Sequence, residues 1–320
     1  MKSQILILAT LCAGSIFAGQ NPIQTPSSGR IDRHYIYSPE LQDSVTVDVW
    51  LPATYLADTT LRLPVLYMHD GQNLFDAATT WNHQSWEMDS VVTSLAEAGK
   101  ITPPVIVGVH SVAETRKGDL MPVSPIANHA ELKDSVDSFI GGKGLRGDLY
   151  AGFIANTLRP AVETEYRVLT GPENTSLMGS SMGGLMSMYM LCEYPEVFGS
   201  AACLSTHWIG TVEFMEAEDY RFPDAMLGYE KANLPRDGRH RIYFDHGTRT
   251  LDAWYGKWDE IAVGNAREAG YTEPCTLGYY IDQDGAHEEA SWERRVHIPL
   301  QFLYGKKCDG ANAADCCRNK

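Results

Sequence analysis

The chain has 320 residues, 44% hydrophobic and 21% charged, enough apolar sequence for a substantial core and too little charge for a disordered chain. A formal net charge of −15 lacks the basic footprint of a nucleic-acid binder and disfavours anionic membrane surfaces. No phosphate-loop pattern G-x-x-x-x-G-K-[ST] is present, and neither a redox nor a phosphate cofactor is expected.

The N-terminal stretch carries Lys2, then an apolar run over residues 5–18, then polar sequence. That is the layout of a secretory signal peptide (residues 1–18), with cleavage expected after Ala18 or Gly19 and a secreted or periplasmic product. The run is short for a bilayer span, so no membrane attachment is expected after its removal. Six cysteines remain beyond it: Cys192, Cys203, Cys275, Cys308, Cys316 and Cys317. An even count in an exported chain permits disulfides. Cys192 and Cys203 sit in apolar runs and are expected as buried thiols. The other four are candidates for pairing, three of them in a tail over residues 308–320. That tail has no histidine and no regular spacing, so no metal site is expected there.

Residues 34–52, "HYIYSPELQDSVTVDVWLP", alternate apolar and polar around a turn and predict an antiparallel hairpin. "LPVLYMHD" at 63–70 is a continuous apolar run, as in a strand buried on both faces. A helix over 85–99 and a second buried strand, "PPVIVGVH" at 103–110, follow. Residues 111–147 are rich in Pro, Gly and charge and predict a long loop on the substrate rim. Next come a helix over 148–166, bent at Pro160, a strand "TSLMGS" at 175–180, a helix over 183–194 and a strand over 199–206. Strands at 241–247 and 276–283 alternate with helices over 252–270 and 287–305. This alternation predicts one three-layer α/β domain over residues 19–307, with a mainly parallel central sheet and an N-terminal antiparallel hairpin.

Gly179-Ser180-Ser181-Met182-Gly183 fits G-x-S-x-G, the turn that presents a nucleophilic serine between strand and helix. Such a serine needs a base, and the base an orienting carboxylate, in the chain order Ser, Asp or Glu, His. Of His207, His240, His246, His287 and His297, only His287 falls in the loop between the last strand and the last helix. Asp252 opens a helix after the penultimate strand and is preferred to Asp245, which lies in a strand body. Asp282 and Asp284 read as turn residues.

With these residues, "LPVLYMHDGQNLFD", "WEMD", "VIVGVH", "GSSMGG", "FDHGTRTLD" and "DGAHEEASWERRVHIPLQFL" resemble the esterase D-like α/β-hydrolases. That group includes enterochelin esterases, S-formylglutathione hydrolases, mycolyltransferases, and feruloyl and acetylxylan esterases of the carbohydrate esterase family 1 type. The resemblance covers about residues 35–305. It implies an α/β-hydrolase fold with Ser181 as nucleophile, His287 as general base and Asp252 as acid. It further implies an oxyanion hole from the backbone N–H groups of Met182 and Gln72, with no cofactor and no metal. The expected reaction is ester hydrolysis through an acyl-enzyme. The expected substrate is a small ester or an acylated carbohydrate, with acetyl or hydroxycinnamoyl groups. Trp81, Trp86, Trp208, Trp254 and Trp292, near expected loop ends, suit a sugar-linked ester. A siderophore esterase, an acyltransferase and a non-catalytic binding protein on the same fold are the alternatives.

Overall fold

Eight strands form a single sheet: β1 (Arg30–Ser38), β2 (Asp43–Leu51), β3 (Val65–His69), β4 (Val105–Val109), β5 (Thr175–Ser180), β6 (Ser200–Leu204), β7 (Arg241–Gly247) and β8 (Leu277–Asp282). They come from a computed structural model that describes residues 22–305 apart from Asn128 and Lys143. The expected signal peptide and the tail cysteines Cys308, Cys316 and Cys317 lie outside the described residues. The strand order is β1-β2-β4-β3-β5-β6-β7-β8. The hairpin β1–β2 is antiparallel and joins β4 antiparallel; every later pairing is parallel. This is the α/β-hydrolase arrangement that the sequence predicts.

Helices cover both faces because the central strands are apolar on both. In β3, Val65 and Tyr67 face one layer while Leu66 and Met68 face the other, following the two-residue period of a strand. The first layer packs on the helices Met182–Glu193, Arg221–Asn233 and Gly256–Glu268. The second packs on Met88–Glu97 and on the C-terminal pair Glu289–Arg295 and His297–Tyr304. Cys192 and Cys203 are buried free thiols in the first layer, and Cys275 is disulfide-bonded.

One expectation needs correction. Residues 111–147 are not one loop: they hold the helices Arg116–Asp119, Ser124–Ala127 and Ala130–Phe139. Leu132, Val136 and Ile140 are spaced four apart and bury one face, which outweighs the segment's polar composition. The helix expected over 148–166 runs without a break from Gly147 to Glu165, with a π-helical stretch Phe153–Leu158 between the α-helical parts Gly147–Gly152 and Arg159–Glu165. Pro160 lacks an N–H and crowds the carbonyl four residues back, and the wider π turn accommodates it.

Candidate active site

The carboxyl edge of the sheet gathers three loops, after β3, β5 and β8, with β7 supplying a fourth. Ser181 stands between β5 and the helix Met182–Glu193 at φ 56°, ψ −123°. An L-residue held there stores roughly 1–3 kcal/mol of strain. The turn is tight enough that a Cβ on Gly179 would sit 2.6 Å from the Gly183 backbone. Only glycine fits, which is the physical content of the G-x-S-x-G spacing. Met182 opens the helix, so its N–H has no intrahelical acceptor and points outward with the positive end of the helix dipole.

The loop after β3 lies alongside, because β3 and β5 are neighbours. Asp70 is left-handed at φ 55°, and the 3₁₀ turn Gly71–Asn73 follows. Gly71 rests on the β4 backbone: a Cβ there would lie 2.4 Å from the Gly108 carbonyl carbon. Asp70 is gripped by Arg116, with Nε and Nη2 each 2.7 Å from a carboxylate oxygen, and by Ser111 Oγ at 2.5 Å. The Gln72 side chain is held by Ser111 through two bonds of 3.0 and 3.1 Å.

His287 follows β8 and precedes the helix Glu289–Arg295. Its Nδ1 lies 2.6 Å from Asp252 Oδ1. The other Asp252 oxygen accepts from the Gly247 N–H and from Ser205 Oγ, both at 2.6 Å. Burial works to raise the Asp252 carboxyl, but the bonds from His287, Ser205 and Gly247 outweigh it and hold its pKa below the ordinary value. Ser205 Oγ also accepts from Trp292 Nε1 at 2.9 Å and from Arg295 Nη2 at 2.7 Å. The Trp292 ring meets the His287 ring edge-on at 5.1 Å, and Trp86 packs against Trp292.

Asp245 is placed elsewhere. It is fully buried and paired with Arg295 at 2.9 Å. Burial, only partly offset by Arg295, raises its pKa. Asp282 pairs with Arg294 and Asp284 with Arg249, each at 2.6 Å. His240 sits at the opposite edge of the sheet between Asp237 and the Pro195 carbonyl. An open cavity of about 410 Å³ there is lined by His240 but by none of Ser181, Asp252 and His287. His246 bonds the Gly247 carbonyl, and His297 lies on an outer helix.

Tyr255 was not singled out by sequence, yet it packs against His287. Its hydroxyl lies near the Ser181 side chain, and its ring meets His287 edge-on at 5.6 Å. Behind it His207 Nδ1 lies 3.0 Å from the Tyr255 hydroxyl, while Nε2 lies 2.8 Å from the Gly210 carbonyl. A carbonyl only accepts, so Nε2 carries the hydrogen. Burial lowers His207 to about 4, leaving Nδ1 bare at neutral pH. Tyr255 therefore donates to His207. Among the described residues no hydrogen bond joins Ser181 Oγ to His287, a separation common before substrate closes a site. The signal for Tyr255 was its position three residues past Asp252, one turn on.

The tryptophans divide. Trp208, expected near a loop end and suited to a sugar-linked ester, is a fully buried core residue that donates to Asp259 at 2.6 Å and offers no face to a sugar. Trp86 and Trp292 are buried beside His287, and Trp254 is partly exposed. Trp81 is 84% exposed, next to Asn82, which donates to Glu289 at 2.6 Å two residues past His287.

The family model described as "Putative esterase" matches residues 38–297. YbbA of Bacillus subtilis (strain 168) is 23% identical over 264 residues, 81% of this chain and 92% of that protein. Among solved structures, a ferulic acid esterase superposes with a TM-score of 0.61 at 17% identity, covering 86% of this chain and 97% of that one. The enterobactin esterase FES of Shigella flexneri gives 0.61 at 16% identity, covering 88% of this chain and 60% of that longer one.

Proposed function

From the premise that the chain belongs to this esterase family and is a carboxylic ester hydrolase, we propose that it is a secreted serine esterase working through an acyl-enzyme on Ser181. The observation that carries this reading is a serine held at positive φ between strand and helix, on the sheet edge where His287 and Asp252 meet at 2.6 Å.

In the proposed mechanism the Ser181 hydroxyl turns to His287 Nε2, and its oxygen attacks the ester carbonyl as Nε2 takes the proton. Asp252 keeps Nδ1 protonated and stabilises the imidazolium that forms. The N–H groups of Met182 and Gln72 receive the developing oxyanion, each worth about 2.7–4 kcal/mol by the usual effect of losing one donor. His287 then protonates the leaving alcohol, and water repeats the sequence in reverse to release the acid.

For the substrate, Trp81 supports an acylated carbohydrate, with acetyl or hydroxycinnamoyl as the acyl group. A solvent-exposed indole beside the His287 loop offers a flat apolar face for a sugar ring, and exposure gives it no core to pack. The fold is shared with a protein described as a ferulic acid esterase, which agrees with a hydroxycinnamoyl ester.

The test compares wild type and Ser181→Ala on p-nitrophenyl acetate, methyl ferulate, acetylated xylan and a catecholate siderophore lactone, with and without an added sugar alcohol. Loss of turnover in a folded Ser181→Ala protein supports the nucleophile, and the preferred ester names the substrate. Preference for the lactone, or acyl transfer to the added alcohol, would replace the carbohydrate reading. Equal turnover in both proteins would refute the mechanism.

A further inference from the structure

The segment ahead of β1 makes contacts that the mechanism above leaves unused. Gln24 is buried although it lies in an irregular stretch. Its Nε2 donates to Asp48 Oδ2 and to the Gly71 carbonyl, each at 2.9 Å, and its Oε1 accepts from the Phe75 N–H, also at 2.9 Å. The partners fix the amide orientation: the nitrogen faces two acceptors, and the oxygen faces a donor. Both amide hydrogens are used.

The carbonyl that Gln24 holds belongs to the Gly71–Gln72 peptide. A planar trans peptide points its C=O and N–H in opposite directions, so fixing the carbonyl aims the Gln72 N–H. Hydrogen bonding at the oxygen also polarises the peptide and strengthens its N–H as a donor. The Gln24 amide is itself polarised by Asp48. Burial alone would raise the Asp48 carboxyl, but Arg33, His110 and Gln24 hold it well below the ordinary value, so it is ionised. Arg33 anchors it with two bonds of 2.6 Å, and His110 Nε2 lies 2.9 Å away.

Arg33 and His110 thus hold Asp48, Asp48 holds Gln24, and Gln24 holds the peptide. Phe75, held by the same amide, closes the loop on its other side. The Phe75 bond fixes the position of the loop, and the Gly71 bond fixes its tilt.

We infer that Gln24 is a positioning residue for the reaction, aligning and polarising the Gly71–Gln72 peptide so that its N–H meets the oxyanion. This rests on the reading of Ser181 and Gln72 given above. It differs from mere docking of the N-terminal segment, because Ser27 supplies docking independently through its 2.6 Å bond to Asp89.

Gln24→Met keeps the length and volume of the side chain while removing its hydrogen bonds. Active serine is titrated with a fluorophosphonate, so that kcat is expressed per competent molecule, and Tm is recorded. The expected result is a kcat on p-nitrophenyl acetate reduced by about tenfold or more, short of the roughly 10²–10³-fold of losing an oxyanion donor outright. KM stays within about twofold, because the contact strengthens only as the oxyanion forms. Affinity for a trifluoromethyl ketone, whose adduct carries an oxyanion, falls by the same factor as kcat/KM. Ser27→Ala retains wild-type kcat per titrated serine. A Gln24→Met protein with unchanged kcat per titrated serine and unchanged ketone affinity overturns the inference, even if its Tm drops. Ser181→Ala run alongside separates the two claims. Turnover surviving in it overturns the esterase reading, whereas turnover lost there but unchanged in Gln24→Met overturns only the role of Gln24.

Discussion

Replacing Asp252 by asparagine changes one atom's chemistry, and the surrounding bonds dictate the consequence. Ser205 Oγ accepts from Trp292 Nε1 and Arg295 Nη2, so its single hydrogen goes to Asp252 Oδ2. The Gly247 N–H points at the same oxygen. Two donors on one side oblige the amide introduced by Asp252→Asn to place its oxygen there and its NH₂ against His287 Nδ1. Nδ1 must then accept, which moves the ring hydrogen to Nε2, the atom that has to take the serine proton. The base is present but in the wrong tautomer. The expected loss is about 10⁴-fold in kcat, or about 5.4 kcal/mol of barrier, with KM and fold little changed. Stopped assays on p-nitrophenyl acetate, normalised to folded protein by circular dichroism, measure the loss, and histidine ¹⁵N shifts report the tautomer. An Asp252→Asn enzyme within tenfold of wild type, or one whose His287 keeps hydrogen on Nδ1, would refute the reasoning.

Asp245→Asn should behave in the opposite way: it removes the nearest of three carboxylates around buried Arg295, with Asp282 at 3.4 Å and Asp252 at 3.8 Å remaining, so chemical denaturation should show a loss of about 1–3 kcal/mol, while kcat per folded molecule stays within a few-fold. Trp81→Ala should leave Tm and p-nitrophenyl acetate turnover unchanged but raise KM on acetylated xylan several-fold; an unchanged KM would remove Trp81 from the carbohydrate reading. Stability should fall in acid. Asp48 and Asp252 have folded pKa values below their unfolded ones, so the unfolded chain binds more protons, and their contribution is complete above about pH 4 and lost as pH falls further. Thermal melts from pH 6 to pH 3 should show Tm dropping mainly below pH 4, and a flat Tm across that range would contradict the network.

The sheet was legible because its strands carry local signals: continuous apolar runs at β3 and β4, and glycines where β5 turns into its helix. His287 was legible from topology, since only one histidine lay between the last strand and the last helix. Asp252 was narrower, and its distinction from Asp245 rests on Arg295, fifty residues away from Asp245 and invisible to any spacing rule. Tyr255, Ser205 and Gln24 share that property. Each acts through a polar partner supplied by another loop, and a single hydrogen bond has no period that a sequence could display. The helices within residues 111–147 were obscured for a different reason: their apolar face is narrow, and polar residues around it dominate the composition.

The two buried thiols carry a practical consequence. Burial pushes Cys192 and Cys203 well above the ordinary thiol pKa, so at neutral pH neither offers the thiolate that alkylating reagents and disulfides require. Cys203 lies in the middle of the sheet and Cys192 on the helix that starts at Ser181, so a reagent reaches them only when that central layer parts. Pulse alkylation read on these two peptides therefore acts as a clock for opening of the layer under the nucleophile, and it can be timed in the native enzyme without any engineered cysteine.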